Sequence, residues 1–366
     1  MKKKIFFAPN TIRTAKWVIS SVIALGGSLA IFYALNDTFP EGARFASNAR
    51  FAKSAGVFES DKECFDAVDT PTHSAKRRFA EKAYQIAKQN NLIDRKDISE
   101  EQIADFFKSL DDPANFSSKS HPFTEFDHHA TSLEEMCETI LEKAELLSYS
   151  DPTEFKRKKS WFGRLALICN SLDGQGTFVS NFNRERLHLE ILKRVYDFQT
   201  NSTASSFQKS DLVASCVPAL QEPYDLALMF RMEDFRIQSM IDILRGIKKF
   251  DPASNVIEGP KPLNGFEKFQ LVIPGVDSAW RSKLHFTFAK AIVDLQKTSA
   301  GPNSAELKSL GQAVTNLYED PANTAYLRHF RIDFYEFGAK FNDKELYTYK
   351  LTHPKSIVGQ PIETKN

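Results

Sequence analysis

The sequence predicts a mainly α-helical protein, with one N-terminal transmembrane helix followed by a multi-helix extracytoplasmic domain. Three observations carry this. Residues 17–36 form a run of 20 without a charge, behind a leader of 16 residues that is basic only. Apolar residues in the remainder recur at i, i+3, i+4 and i+7, the period of a helix with one buried face. Alternation of period two, the mark of a half-buried strand, is confined to two short stretches.

The uncharged run WVISSVIALGGSLAIFYALN covers roughly 30 Å as a helix, the depth of a bilayer's hydrocarbon core. Lys2, Lys3, Lys4, Arg13 and Lys16 precede it, whereas the flank behind it mixes Asp37, Glu41, Arg44 and Arg50. The positive-inside rule places residues 1–16 in the cytoplasm and the body beyond the inner or plasma membrane, in a periplasmic or extracytoplasmic space. A second reading is a signal peptide cleaved after Ala30, with Ser28-Leu29-Ala30 as the small-residue site. The apolar stretch continues through Ile31–Leu35, which favours the uncleaved anchor. Residues 37–60 then read as a linker, 61–352 as the helical body with a candidate subdivision near 173–206, and 353–366 as a polar tail.

Within the body, Phe79, Ala83 and Ile86 predict a helix near 75–90. Ile103, Phe106, Phe107 and Leu110 predict a second, opened by a capping box of Ser99 and Gln102. Ser132 with Glu135 predicts the start of a third, whose stripe is Leu133, Met136, Ile140, Ala144 and Leu147. Four Asp-Pro pairs, at 112, 151, 251 and 320, supply an N-cap carboxylate and a residue preset for the first helical position. Glu222–Phe250 is apolar on several sides, as a central helix is, and its alternating charges could pair locally. Trp280–Leu295, Leu307–Leu317 and Leu327–Phe341 carry further stripes. A small β-hairpin is expected from 268–273 and 346–351.

Charge is balanced, 48 basic against 47 acidic residues, which argues against a nucleic-acid partner. The 31 phenylalanines suit a body with aromatic packing. Cys64, Cys137, Cys169 and Cys216 lack any C-x-x-C spacing. In an oxidising compartment they could form two disulfides in one of three connectivities, and otherwise they are buried small hydrophobes.

Two groupings are candidate sites. His121, Asp127, His128 and His129 concentrate metal-ligand side chains just ahead of the third helix, without the HExxH or i, i+4 spacing that a zinc site requires. Lys156, Arg157, Lys158 and Lys159 with Trp161 mix charge and aromatic surface that could bind an acidic partner or lipid headgroups. Asp173-Gly-Gln-Gly-Thr177 lacks the acidic series of an EF-hand and the lysine of a P-loop, and reads as a turn. Glu185 and His188 share a helix, and His285 reads as a core or surface residue. No nucleophile elbow, catalytic cysteine signature or dinucleotide fingerprint is present, so no cofactor is expected. The expected role is a structural, scaffold or accessory subunit of a cell-envelope complex, with one membrane span and a protein partner. The alternatives are a membrane-anchored chaperone or binding protein for exported polypeptide or glycan, and an envelope enzyme whose site is assembled from distant residues.

Overall fold

A computed structural model describes residues 51–112, 123–144, 151–220, 225–244, 285–293 and 334–353. Every regular element among them is α-helical: α1 Asp61–Val68, α2 Pro71–Gln89, α3 Glu100–Asp111, α4 Phe123–Ala144, α5 Pro152–Ser171, α6 Phe178–Asn201, α7 Ser206–Leu220, α8 Leu226–Leu244 and α9 Phe334–Thr352, with residues 285–293 also helical. The expected transmembrane helix at 17–36 lies outside these residues. Among the described residues no helix is long and apolar enough to cross a membrane.

Local chemistry explains the helix starts. Ser99 and Gln102 form the expected capping box, the Gln102 N–H donating to Ser99 Oγ at 3.2 Å and the Ser99 N–H to Gln102 Oε1 at 3.0 Å. Asp151 caps α5, accepting from the Thr153 N–H at 2.8 Å, with Pro152 in the first turn. Asp112 plays the opposite role and ends α3. The other two Asp-Pro pairs, at 251 and 320, lie outside the described residues.

Three expectations are corrected. The third helix already includes Phe123–Thr131 rather than opening at Ser132. Ala130 is as buried as Leu133 and Cys137, so the apolar face extends upstream and carries the polar residues 127–129 with it. The strand at 346–351 is instead the last part of α9. There Tyr347 packs on the core and Leu351 is buried one turn on, while Leu346 and Tyr349 face solvent, a helical spacing that tyrosines and threonine disguise as alternation. Its expected partner at 268–273 lies outside the described residues. Ala52, Ala55 and Val57, inside the stretch read as a linker, are buried in the body.

The buried apolar residues fall into two main clusters. The first joins α2 to α7 around Phe106, Phe107, Trp161, Phe162 and Leu187, and takes in Leu351 of α9. The second joins Val57, Phe178, Met229, Phe230, Phe288, Phe337 and Phe341. A smaller group sets Cys64 and Val68 of α1 against Leu228, Met232 and Phe235 of α8. Helix α6 belongs to both main clusters: Phe178 at its start joins the second, and Leu187 through Phe198 join the first.

The α5–α6 connection, Leu172–Thr177, is buried throughout, unlike most loops. Two glycines allow it. A Cβ at Gly174 would sit 2.7 Å from the backbone nitrogen of Arg77, and Gly176 has φ +69° with Leu228 3.0 Å from where its Cβ would be. We expect Gly174→Ala to destabilise the protein by about 1–3 kcal/mol, as overpacking against backbone does. Gly163→Ala, inside α5 with only ordinary contact at 3.7 Å, should stabilise by roughly 0.5–1 kcal/mol through helix propensity. Urea unfolding of both variants checks the pair, and equal effects would contradict it.

Candidate functional site

The buried loop and the first half of α6 form the most polar part of the interior. Thr177, Ser180, Asn181, Asn183, Arg184, Glu185 and His188 are all buried. Side chains from five other helices converge on this segment.

Asp173 organises the α2 side. It forms ion pairs with Arg184, which is fully buried, and with Lys76 at 3.2 Å. Arg77 reaches across to the loop, donating to Gly174 O at 3.2 Å, to Val68 O and to Asp69 Oδ1 at 2.9 Å. Gln175 is buried, and neither of its amide atoms has a hydrogen-bond partner among the described residues.

The α8 side closes over the start of α6. Thr177 caps the helix, accepting from the Ser180 N–H at 3.2 Å, and its hydroxyl donates to Asp127 Oδ1 at 2.6 Å. The Phe178 N–H donates to Glu233 Oε1 of α8 at 2.8 Å, placing a carboxylate at the positive end of the helix dipole. Arg236 lies 3.0 Å from Glu233 and 3.6 Å from Asp127. Burial pushes the Asp127 carboxyl up to about 6, against the pull of Arg236 and of the Thr177 hydrogen bond. Asp234, on the same helix, is 2.6 Å from His285.

From α9, Lys344 approaches Glu185 at 3.5 Å. Burial raises the Glu185 pKa despite Lys344 and Arg184. Burial and the same two cations hold His188 well below the usual imidazole range, so it is neutral. From α4, Glu134 is fully buried and 3.2 Å from Nε of Arg186, whose Nη2 meets Glu138 at 3.3 Å. Burial, then the neighbouring Glu138 charge, push Glu134 up to about 8.

The sequence candidates are dispersed. His121 lies outside the described residues. Asp127 is held by Thr177 and Arg236, whereas His129 Nδ1 meets both Glu81 oxygens at 2.9 Å and stacks on Tyr84 with ring centroids 3.7 Å apart. His128 is exposed. Successive helical residues diverge by about a quarter turn or more, so these groups do not converge. No group of three or more metal-ligand side chains occurs among the described residues.

The basic run is largely neutralised within the fold. Lys158 is 1% exposed and paired with Glu100 at 3.0 Å and Glu154 at 3.3 Å. Lys159 meets Asp211 at 2.7 Å. Arg157 pairs with Glu100 and covers the Trp161 ring, itself 2% exposed. Lys156 alone of the four is exposed with no ion pair among the described residues. The expected binding surface is therefore mostly a brace between α5 and its neighbours α3 and α7.

All four cysteines are free and buried, so the expected bridges are absent. Cys64 Sγ lies 3.3 Å from Met232 Sδ and Cys169 Sγ 3.4 Å from Arg184 O, packed in separate surroundings. Burial pushes the Cys137 and Cys169 thiols up, and Cys216 to about 12, which keeps them protonated and unreactive.

Beside the polar interior, an open groove of about 580 Å³ runs between the start of α2 and the end of α5. Pro71, Ala75, Phe79 and Leu167 line its apolar part, and Lys76 and Asn170 its polar end. Leu167 is 53% exposed. Sequence reading missed the groove, the Asp173–Arg184 pair, and the roles of Glu81, Glu233 and Lys344. The one local signal was the density of polar residues on every side of α6 between Thr177 and His188.

The fold and site define an all-α protein with an ion-paired interior flanked by an apolar groove. No protein-family model, curated protein or solved structure matches this chain.

Two measurements test the interior. Replacing Asp173 by Ala leaves Arg184 buried without its carboxylate and should cost about 3–5 kcal/mol, whereas Lys156→Ala should stay within about 0.5 kcal/mol. A loss below about 1 kcal/mol for Asp173→Ala would show that Arg184 is satisfied elsewhere. Glu134 titrates near 4.3 when unfolded and near 8 when folded. A raised carboxyl contributes stability below the unfolded value that is lost as pH rises through the folded one. His188 contributes the reverse dependence below its unfolded value, about 6.5. Between pH 6.5 and 8 the unfolding free energy should therefore fall, by about 2 kcal/mol. Glu134→Gln should make that fall shallower, and an unchanged slope would rule Glu134 out as its source.

Proposed function

We propose that this chain is a single-span membrane protein whose helical body serves as a scaffold or accessory subunit of a cell-envelope complex. The groove between α2 and α5 is the face that meets its partner polypeptide. The observation that carries this reading is Leu167, a large apolar side chain left half-exposed in a groove whose apolar part it shares with Pro71, Ala75 and Phe79. An apolar concavity of this kind rewards a partner's apolar side chain, because each one fully buried is worth about 1.5–3 kcal/mol. The uncharged run at 17–36 and its basic leader support the tether and the outward placement of the body. The charged interior is consumed by internal pairs, which leaves shape and apolar surface as the means of recognition.

A photo-reactive side chain at Ala75, exposed on the groove rim, should capture a partner polypeptide in intact membranes. Leu167→Asp should abolish the adduct while leaving the unfolding midpoint unchanged. An adduct indifferent to Leu167→Asp would refute the groove as the docking face. Topology is tested separately with Lys156→Cys: the native thiols are buried, so an impermeant maleimide should label this variant from outside the membrane. Labelling only after the membrane is opened would overturn the orientation.

A further inference from the structure

The two apolar clusters meet along α6, and a seam of charge lies where it passes from one to the other. Glu233 and Arg236 of α8 meet Asp127 of α4 and the first backbone N–H of α6, and Lys344 of α9 meets Glu185 of α6. The junction is mixed, because Phe178 also packs with Met229 and Phe230 of α8 and lies 5.7 Å from Phe337 of α9, and its charged contacts are the part that proton activity can alter.

We propose that this seam is a proton-controlled joint, in which protonated Asp127 leaves Arg236 to Glu233 and locks α8 onto the start of α6, and ionised Asp127 loosens it. The geometry supplies the reason. Arg236 stands 3.0 Å from Glu233 and 3.6 Å from Asp127, so one guanidinium faces two carboxylates. With Asp127 neutral, Arg236 supports Glu233, and Glu233 in turn accepts the Phe178 N–H at 2.8 Å. Thr177 Oγ1 can still donate to the neutral carboxyl through its carbonyl oxygen. When Asp127 ionises it competes for Arg236 and repels Glu233, weakening the contact that ties α8 to α6.

The other groups around Asp127 do not reverse this sense. His128 on its own helix is exposed, and its charge pulls the Asp127 pKa down by less than Arg236 and Thr177 do. Glu81 of α2 is directed to His129. Glu185, His188 and Lys344 belong to the α9 end of the seam. The burial that pushes Asp127 up to about 6 places the transition in a range that extracytoplasmic compartments cross. This joint is independent of the docking groove, which lies on the α2–α5 face.

The test is amide hydrogen exchange on the full chain in mild detergent at pH 5, 6 and 7, corrected for the intrinsic exchange rate. Peptides of α8 should lose protection several-fold more than peptides of α5 between pH 5 and 7. Asp127→Asn, which keeps an oxygen for Thr177 and cannot ionise, should abolish the difference. Arg236→Gln removes the cation that favours the ionised form, so it should shift the transition to higher pH, a change that a merely structural role for Arg236 would not produce. If α8 and α5 respond alike in the native protein, or if Asp127→Asn keeps the difference, the joint is refuted. Should Asp127→Asn fail to fold, the Arg236→Gln profile decides: a shift upward supports the joint and an unmoved midpoint refutes it.

Discussion

The interaction on which the rest depends is the pairing of Asp173 with Arg184 and Lys76 inside a buried loop. A loop normally stays at the surface because its backbone groups need water. Here the turn is drawn inside by substitutes for that water. Arg77 takes Gly174 O, the Gly176 N–H bonds Asp173 O at 2.9 Å, and the Asp173 carboxylate answers two cations. Once the loop is inside, the direction of α6 is settled, because Thr177 caps it within three residues of Gly174. The glycines follow from the same constraint, since the loop runs against the backbone of α2 on one side and against Leu228 on the other.

Helix α6 therefore starts in a polar environment and ends in an apolar one. Its second half is an ordinary core helix, with Ile191, Leu192 and Val195 fully buried. Its first half buries charged groups, each of which loses several kcal/mol of hydration unless a partner is close. That requirement recruits α8 through Glu233, α4 through Asp127 and Glu134, and α9 through Lys344. The three carboxyl groups whose protons are held more tightly than usual, Asp127, Glu134 and Glu185, mark where the supply of partners falls short.

The helical class was legible in the sequence because burial on one face leaves a period, and α2 and α3 were legible for that reason, whereas α8 was legible as a stretch apolar on several sides. The Ser99 and Asp151 caps were legible because capping is local. The errors share a cause. At 127–131 Asp127, His129 and Thr131 face protein partners rather than solvent, so a buried helical face read as lying ahead of the helix. At 346–351 tyrosine and threonine obscured the helical spacing. The polar site was hidden for a different reason: Asp173 meets Lys76, and Glu81 meets His129, across separations of 97 and 48 residues that leave no local pattern. The basic run at 156–159 misled in the other direction, since its density was visible while Glu100 and Asp211, which neutralise it, were distant in the chain.

Buried ion pairs contribute little net stability compared with apolar residues of the same volume. Their effect on this molecule is positional. Apolar helix faces slide with modest penalty, since one leucine substitutes for another a turn away. A slip of α9 by one turn, about 5.4 Å, would carry Lys344 off Glu185 and leave that buried carboxyl group without its α9 cation. The same slip of α8 would take Glu233 from the Phe178 N–H and Arg236 from Asp127. The seam thus holds α8 and α9 in one register against α6, although the apolar contacts on their other faces would tolerate several. It does so with groups that titrate, so the register that charge enforces is also one that a change in proton activity can release.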